Sequence, residues 1–170
     1  ADTSHVSLVG DLGFVNAAGN TRLTTLNVGE KLAYTRARVT LEQRALMVYG
    51  RTNDSTSASQ WLAGVRGDVG LNGRIGVYAT TTFERNRFAG FSRRLEEGAG
   101  VAVGAIRRAT DSLSVEAGGT ATQQRSVTET SDNFVSARAA LNYRHHLNAK
   151  AFVGEIVELL PDLQVSSNVR

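Results

Sequence analysis

The chain has 170 residues with 17 Gly, one Pro and no Cys, enough for one domain and too short for two comfortable ones. So much Gly argues against an all-helical fold, since each interior Gly costs a helix roughly 1 kcal/mol relative to Ala, and the lack of Cys excludes a disulfide framework and thiolate metal sites. The net charge of +3 comes almost wholly from 17 Arg against two Lys, Lys31 and Lys150, but the Arg are scattered among Asp and Glu, so no nucleic-acid partner is expected.

Alternation of period two predicts strands along the whole chain. In residues 5–15, Val6, Leu8, Gly10, Leu12 and Phe14 share a face opposite Ser7, Asp11 and Gly13. Residues 22–34 and 39–49 are strand-like with less perfect faces. In 60–71, Trp61, Ala63, Val65, Val69 and Leu71 oppose Gln60, Arg66 and Asp68. Ile75, Val77, Ala79, Thr81 and Phe83 then oppose Tyr78, Thr80, Thr82 and Glu84, and Leu95, Ala99, Val101, Val103 and Ala105 oppose Arg94, Glu96 and three Gly. Leu113, Val115, Ala117 and Ala121 oppose Ser114, Glu116, Thr120 and Thr122, and Val135, Ala137, Ala139, Leu141 and Tyr143 oppose Ser136, Arg138, Asn142 and Arg144. A less regular stretch over 149–159 makes the ninth strand.

Between the strands, polar connections over 16–21, 51–57, 86–93 and 124–133 alternate with short turns over 35–37, 72–73, 107–111 and 145–148. Asn72-Gly73 matches a type I′ hairpin turn. No run of 18 apolar residues is present, so no helix is expected to span a membrane. A barrel strand needs only about ten alternating residues, and outer-membrane barrels place short turns at one end and longer loops at the other. The expectation is therefore an all-β, antiparallel up-and-down transmembrane β-barrel. The competing expectation is a soluble or periplasmic β-barrel that binds a ligand inside.

Three segments carry a family resemblance. Gly10-Asp11-Leu12-Gly13-Phe14-Val15 leading into Ala18-Gly19-Asn20-Thr21, the stretch from Phe83 to Phe91, and Glu97 to Arg107 followed by Leu113 to Gly118 resemble, in that order and spacing, the salt-induced outer membrane proteins, a domain family without established function. Ala18 stands where Ser is usual, and Gly104-Ala105-Ile106 where an aromatic is common. The resemblance implies a barrel in the bacterial outer membrane, of structural or small-pore, porin-like type and tied to envelope or osmotic stress, without a reaction. The partners it implies are outer-membrane lipid and lipopolysaccharide.

Nine strands are odd in number, whereas single-chain bacterial barrels have even counts and leave no edge in lipid. Residues 1–170 therefore read as one barrel domain lacking one or three strands of a ten- or twelve-stranded whole, with 165–170 opening the next. A partner chain or self-association at the open strand edges is the alternative. The opening Ala1-Asp2-Thr3-Ser4 shows no basic, then apolar, signal pattern and reads as a mature start or as a cytosolic chain without its initiator Met.

The candidate sites follow from the faces. Asp11, Glu42, Arg44, Arg66, Asp68, Glu84, Glu116, Arg138 and Arg144, with Lys31 and Glu96 among them, are expected to turn inward and pair across the lumen. Arg85, Arg87, Arg93 and Arg94, beside Phe88 and Phe91, form a candidate rim contact for lipopolysaccharide phosphates. Arg36, Arg38, Arg74, Arg107 and Arg108 at the other end are read as holding turns and meeting inner-leaflet phosphates. His145-His146 cannot chelate from an extended backbone, where neighbours point to opposite faces. A barrel hydrolase needs a His beside its nucleophile, and the loops carrying Ser55, Ser57, Ser92 and Ser126 contain none. No catalytic residue, metal or cofactor is expected, and no phosphate-binding Gly-rich motif is present.

Overall fold

A computed structural model describes residues 4–128, 130–148, 151–161 and 163. The described residues form nine antiparallel strands in one sheet, paired in chain order: β1 (Ser4–Ala17), β2 (Leu23–Arg36), β3 (Val39–Thr52), β4 (Ser55–Gly70), β5 (Ile75–Asn86), β6 (Phe91–Arg107), β7 (Asp111–Ser126), β8 (Ser131–His146) and β9 (Phe152–Leu159). The nine expected strands are all present. Residues 165–170, read as the start of another, lie outside the described residues.

The closed barrel is corrected. Among the described residues, β1 pairs only with β2 and β9 only with β8, so the described sheet is open at both edges. A barrel closes when its first and last strands share a ladder, and these two do not. Their lengths also differ, 14 residues in β1 against eight in β9.

The contrast of long loops and short turns, which favoured an outer-membrane barrel, is corrected as well. The strands run on through the polar segments, leaving connections of similar length at both ends of the sheet. Thr52 pairs with Ser55 around Asn53 and Asp54, whose φ values of 45° and 66° mark a two-residue hairpin turn. Residues 51–57, expected to form a long loop, therefore lie mostly in strands. Asn72-Gly73 is not of that type, since neither residue has positive φ. Instead Asn72 Oδ1 accepts hydrogen bonds from the backbone N–H of Arg74 (2.9 Å) and Ile75 (2.8 Å), so an Asn side chain caps the turn.

The two faces separate as the alternation requires. Trp61, Val65, Phe83 and Val101 stand exposed on one face, whereas Tyr78, Thr120, Thr122 and Ser136 are buried on the other. The sheet curls toward the polar face. Strands lie about 4.8 Å apart, which puts β4 and β7 about 14 Å apart in a flat sheet, yet Arg66 on β4 bonds Glu116 on β7 at 2.7 Å. Glycine permits the curl where the bend is tightest. Gly100 and Gly118 are cross-strand partners on β6 and β7, and a Cβ on either would lie 2.7 Å from the Tyr78 hydroxyl and overlap a backbone carbonyl.

Candidate functional site

The concave face carries a chain of ion pairs built from β4, β7, β8 and β9. Arg66 grips Asp68 two residues along its own strand (Nη2 to Oδ1, 2.7 Å) and reaches both carboxylate oxygens of Glu116 (2.7 and 3.1 Å). Arg138 on β8 donates to the same Glu116 carboxylate (2.6 Å), to Glu158 on β9 (2.5 Å) and to the Tyr78 hydroxyl (2.8 Å). The Tyr78 ring lies under both guanidinium groups, at 4.4 Å from Arg66 and 5.2 Å from Arg138. The strand period puts these groups on one face, and the curl brings them within reach.

The electrostatics follow from this geometry. Burial alone would raise the Glu116 carboxyl, but the hydrogen bonds from Arg66 and Arg138 outweigh it and hold the group below its usual range. Arg66 is shifted upward, first by its hydrogen bond to Asp68. Arg138 is also raised; burial opposes this, and the bonds to Glu116, Tyr78 and Glu158 overcome it. Glu96 is pushed up by burial, against the pull of Arg94.

The other expected network members stand apart from this chain. Glu42 pairs with Lys31 (3.0 Å), and Glu84 accepts from Gln60 (2.9 Å). Asp11 sits against Gly29 on β2 and takes part in no ion pair among the described residues. Arg44 lines a hollow of about 300 Å³ with Lys31, Arg66, Glu96, Arg138 and Glu158. Arg144 stacks on Phe152 (4.8 Å) at the end of the sheet that holds the β2–β3 and β4–β5 turns.

Sequence reading missed Glu158 and the placement of Tyr78 at the centre. The pairing of Ala140 with Glu158 and of Tyr78 with Gly100 fixes both, and neither register is visible in an isolated strand. At the β7–β8 margin, Asp111 accepts from Thr110 (2.6 Å) and Tyr143 (2.9 Å) and lies 2.8 Å from His145 Nδ1. These partners, with Thr110 first, lower the Asp111 carboxyl to about 2. Among the described residues, no group of three or more His, Asp or Glu side chains converges as a metal cluster.

The four expected rim arginines come from β5, the 3-10 turn and β6. Arg94 turns inward, donating to Gln124 (2.9 Å) over the Phe91 ring (4.0 Å). Its neighbour Arg93 must then face the opposite side, where it lines a hollow with Phe83 and Leu95. Arg87 stands in a single 3-10 turn, and Arg85 lies opposite Trp61. The lipopolysaccharide contact is corrected because the rim it required belongs to a closed barrel, and the described strands form an open sheet.

Fold and site together define an open antiparallel sheet with a charged, ion-paired concave face. A family model described as "Protein of unknown function, DUF481" matches residues 10–170, and the chain belongs to that family. No curated protein and no solved structure matches the chain. The closed barrel implied by the resemblance to the salt-induced outer membrane proteins is corrected by the open strand order of the described residues. An open sheet encloses no pore. The porin-like function, the outer-membrane placement, and the lipid and lipopolysaccharide partners lose their structural basis with the closed wall. So does the partner at the strand edges, which was argued from a barrel wall in hydrocarbon.

Proposed function

We propose that the chain is a non-catalytic binding module that holds a small charged ligand against the concave face of its sheet. The observation that carries this reading is the ion-paired chain Asp68–Arg66–Glu116–Arg138–Glu158, which fixes long side chains beside hollows of about 490 and 300 Å³. Side chains held in place before binding lose less entropy when a ligand arrives, and hollows of this size suit small molecules. Both charge signs line the smaller hollow, so selectivity would follow the arrangement of charge more than apolar area. Titration calorimetry with anionic pyrophosphate, cationic spermidine and zwitterionic glycine betaine at low ionic strength tests the reading. At least one should bind saturably and lose affinity when the concave-face residue it contacts is replaced. Silence from all three would overturn the proposal.

A further inference from the structure

The larger hollow has a distinct charge character. It lies at the end of the concave face bounded by the β2–β3 and β4–β5 turns and by the β6 and β8 strand ends, and encloses about 490 Å³. Four arginines are among its lining residues, Arg38, Arg74, Arg107 and Arg144. Its one acidic lining residue, Asp68, is already engaged by Arg66 at 2.7 Å. Among the described residues, no carboxylate pairs with any of the four. Arg38 donates to the Leu71 carbonyl (3.2 Å), Arg107 to the Gly73 carbonyl, and Arg144 stacks on Phe152. These contacts orient the side chains without neutralising them. Gly104 clears the space that Arg107 occupies, since a Cβ there would collide with its guanidinium.

Four like charges around one hollow repel one another, and the rest of this face shows the contrast, with most of its charged groups joined in ion pairs. A counter-charge from outside the chain relieves the repulsion. Guanidinium matches phosphate and carboxylate oxygens with two parallel N–H donors. Four such groups from separate elements suit an anion with more than one charged group better than a single monovalent ion. We infer that this hollow is a binding site for a small multivalent anion of the phosphate-ester class, such as a diphosphate. This rests on the reading of the concave face as a binding surface and names its ligand.

The test is titration calorimetry of the purified chain with sodium pyrophosphate at low ionic strength. One saturable site is expected, weakening steeply as salt is raised. Arg74→Gln and Arg144→Gln should each weaken it on the order of tenfold, the scale of one lost charge-assisted contact. Arg74→Lys should fall between Arg74→Gln and the parent, because the charge stays and the paired donors go. Arg93→Gln, at the far end of the sheet, should bind as the parent does.

The Arg74 side chain makes no hydrogen bond or ion pair among the described residues, so its replacement leaves folding intact, which circular dichroism checks. If Arg144→Gln fails to fold, Arg74→Gln decides alone. Absence of pyrophosphate binding by the parent, or equal binding by Arg74→Gln, overturns the inference. Spermidine or glycine betaine binding where pyrophosphate does not would defeat the anion site and leave the broader function standing.

Discussion

Replacing Glu116 by Gln tests whether the ion-paired chain holds the curl of the sheet. Glu116 receives three charge-assisted hydrogen bonds, two from Arg66 and one from Arg138, and its side chain is 15% exposed. Gln keeps one acceptor oxygen; set where Oε2 stands it keeps the bonds from Arg66 Nη1 and Arg138, loses the one at Oε1, and turns an NH₂ toward the Arg66 guanidinium. Fully buried, the lost bond would be worth roughly 1.5–3 kcal/mol, and stranding a buried charge costs roughly 3–5 kcal/mol. Neither Arg is stranded here, because Arg66 keeps Asp68 and Arg138 keeps Glu158. Partial exposure of Arg66 reduces the loss further. The expected destabilisation is about 2 kcal/mol. Urea unfolding followed by the emission of Trp61, which sits on the opposite face, measures it.

The sign with pH follows from the lowered Glu116 carboxyl. Its contribution is fully present above the ordinary value of 4.5 and is lost as pH falls through the lower folded value. Glu116→Gln should lack that part of the acid loss. Replacing Asp68, Arg66, Glu116, Arg138 and Glu158 together by apolar residues should cost less than Glu116→Gln alone, since no member of the chain is left without its partner. A change below about 0.5 kcal/mol in Glu116→Gln, with an unaltered acid profile, would refute the reasoning.

Three further outcomes follow from local geometry. Ala37 occupies the β2–β3 turn at φ 53°, a region that costs an L-residue about 1–2 kcal/mol, so Ala37→Gly should stabilise the chain by about 0.5–1 kcal/mol in the same urea assay. Gly100→Ala would press a methyl on the Ala117 carbonyl and the Tyr78 hydroxyl, with an expected cost of about 1–3 kcal/mol. Gly100→Ala combined with Tyr78→Phe should stay destabilised, because the carbonyl belongs to backbone. The Asp111 carboxyl should titrate near 2 by carbon NMR instead of near 3.8, and Tyr143→Phe should move it upward by removing a donor; an unchanged midpoint would discard that assignment.

The chain's alternation of apolar and polar residues by itself determined that it forms nine antiparallel strands, and which side chains share a face. The reason is local: successive residues on a strand point to opposite sides, so Val65 and Arg66 separate whatever surrounds them. It also marked Arg66, Asp68, Glu116 and Arg138 as belonging to one face. Local pattern could not place the ends of the elements, because Ser, Thr and Asn around residues 51–57 suit a strand edge as well as a loop, and the positive φ of Asn53 and Asp54 alone makes the tight turn. Only the tertiary structure decided that the sheet stays open, since closure depends on whether β1 and β9 meet, and neither strand's own residues encode that distance. It alone also decided the partners of each charge. Curl at Gly100 and Gly118 brings Arg66 to Glu116 across the two strands between them and leaves Arg144 among Arg38, Arg74 and Arg107, a choice set by register and curvature together.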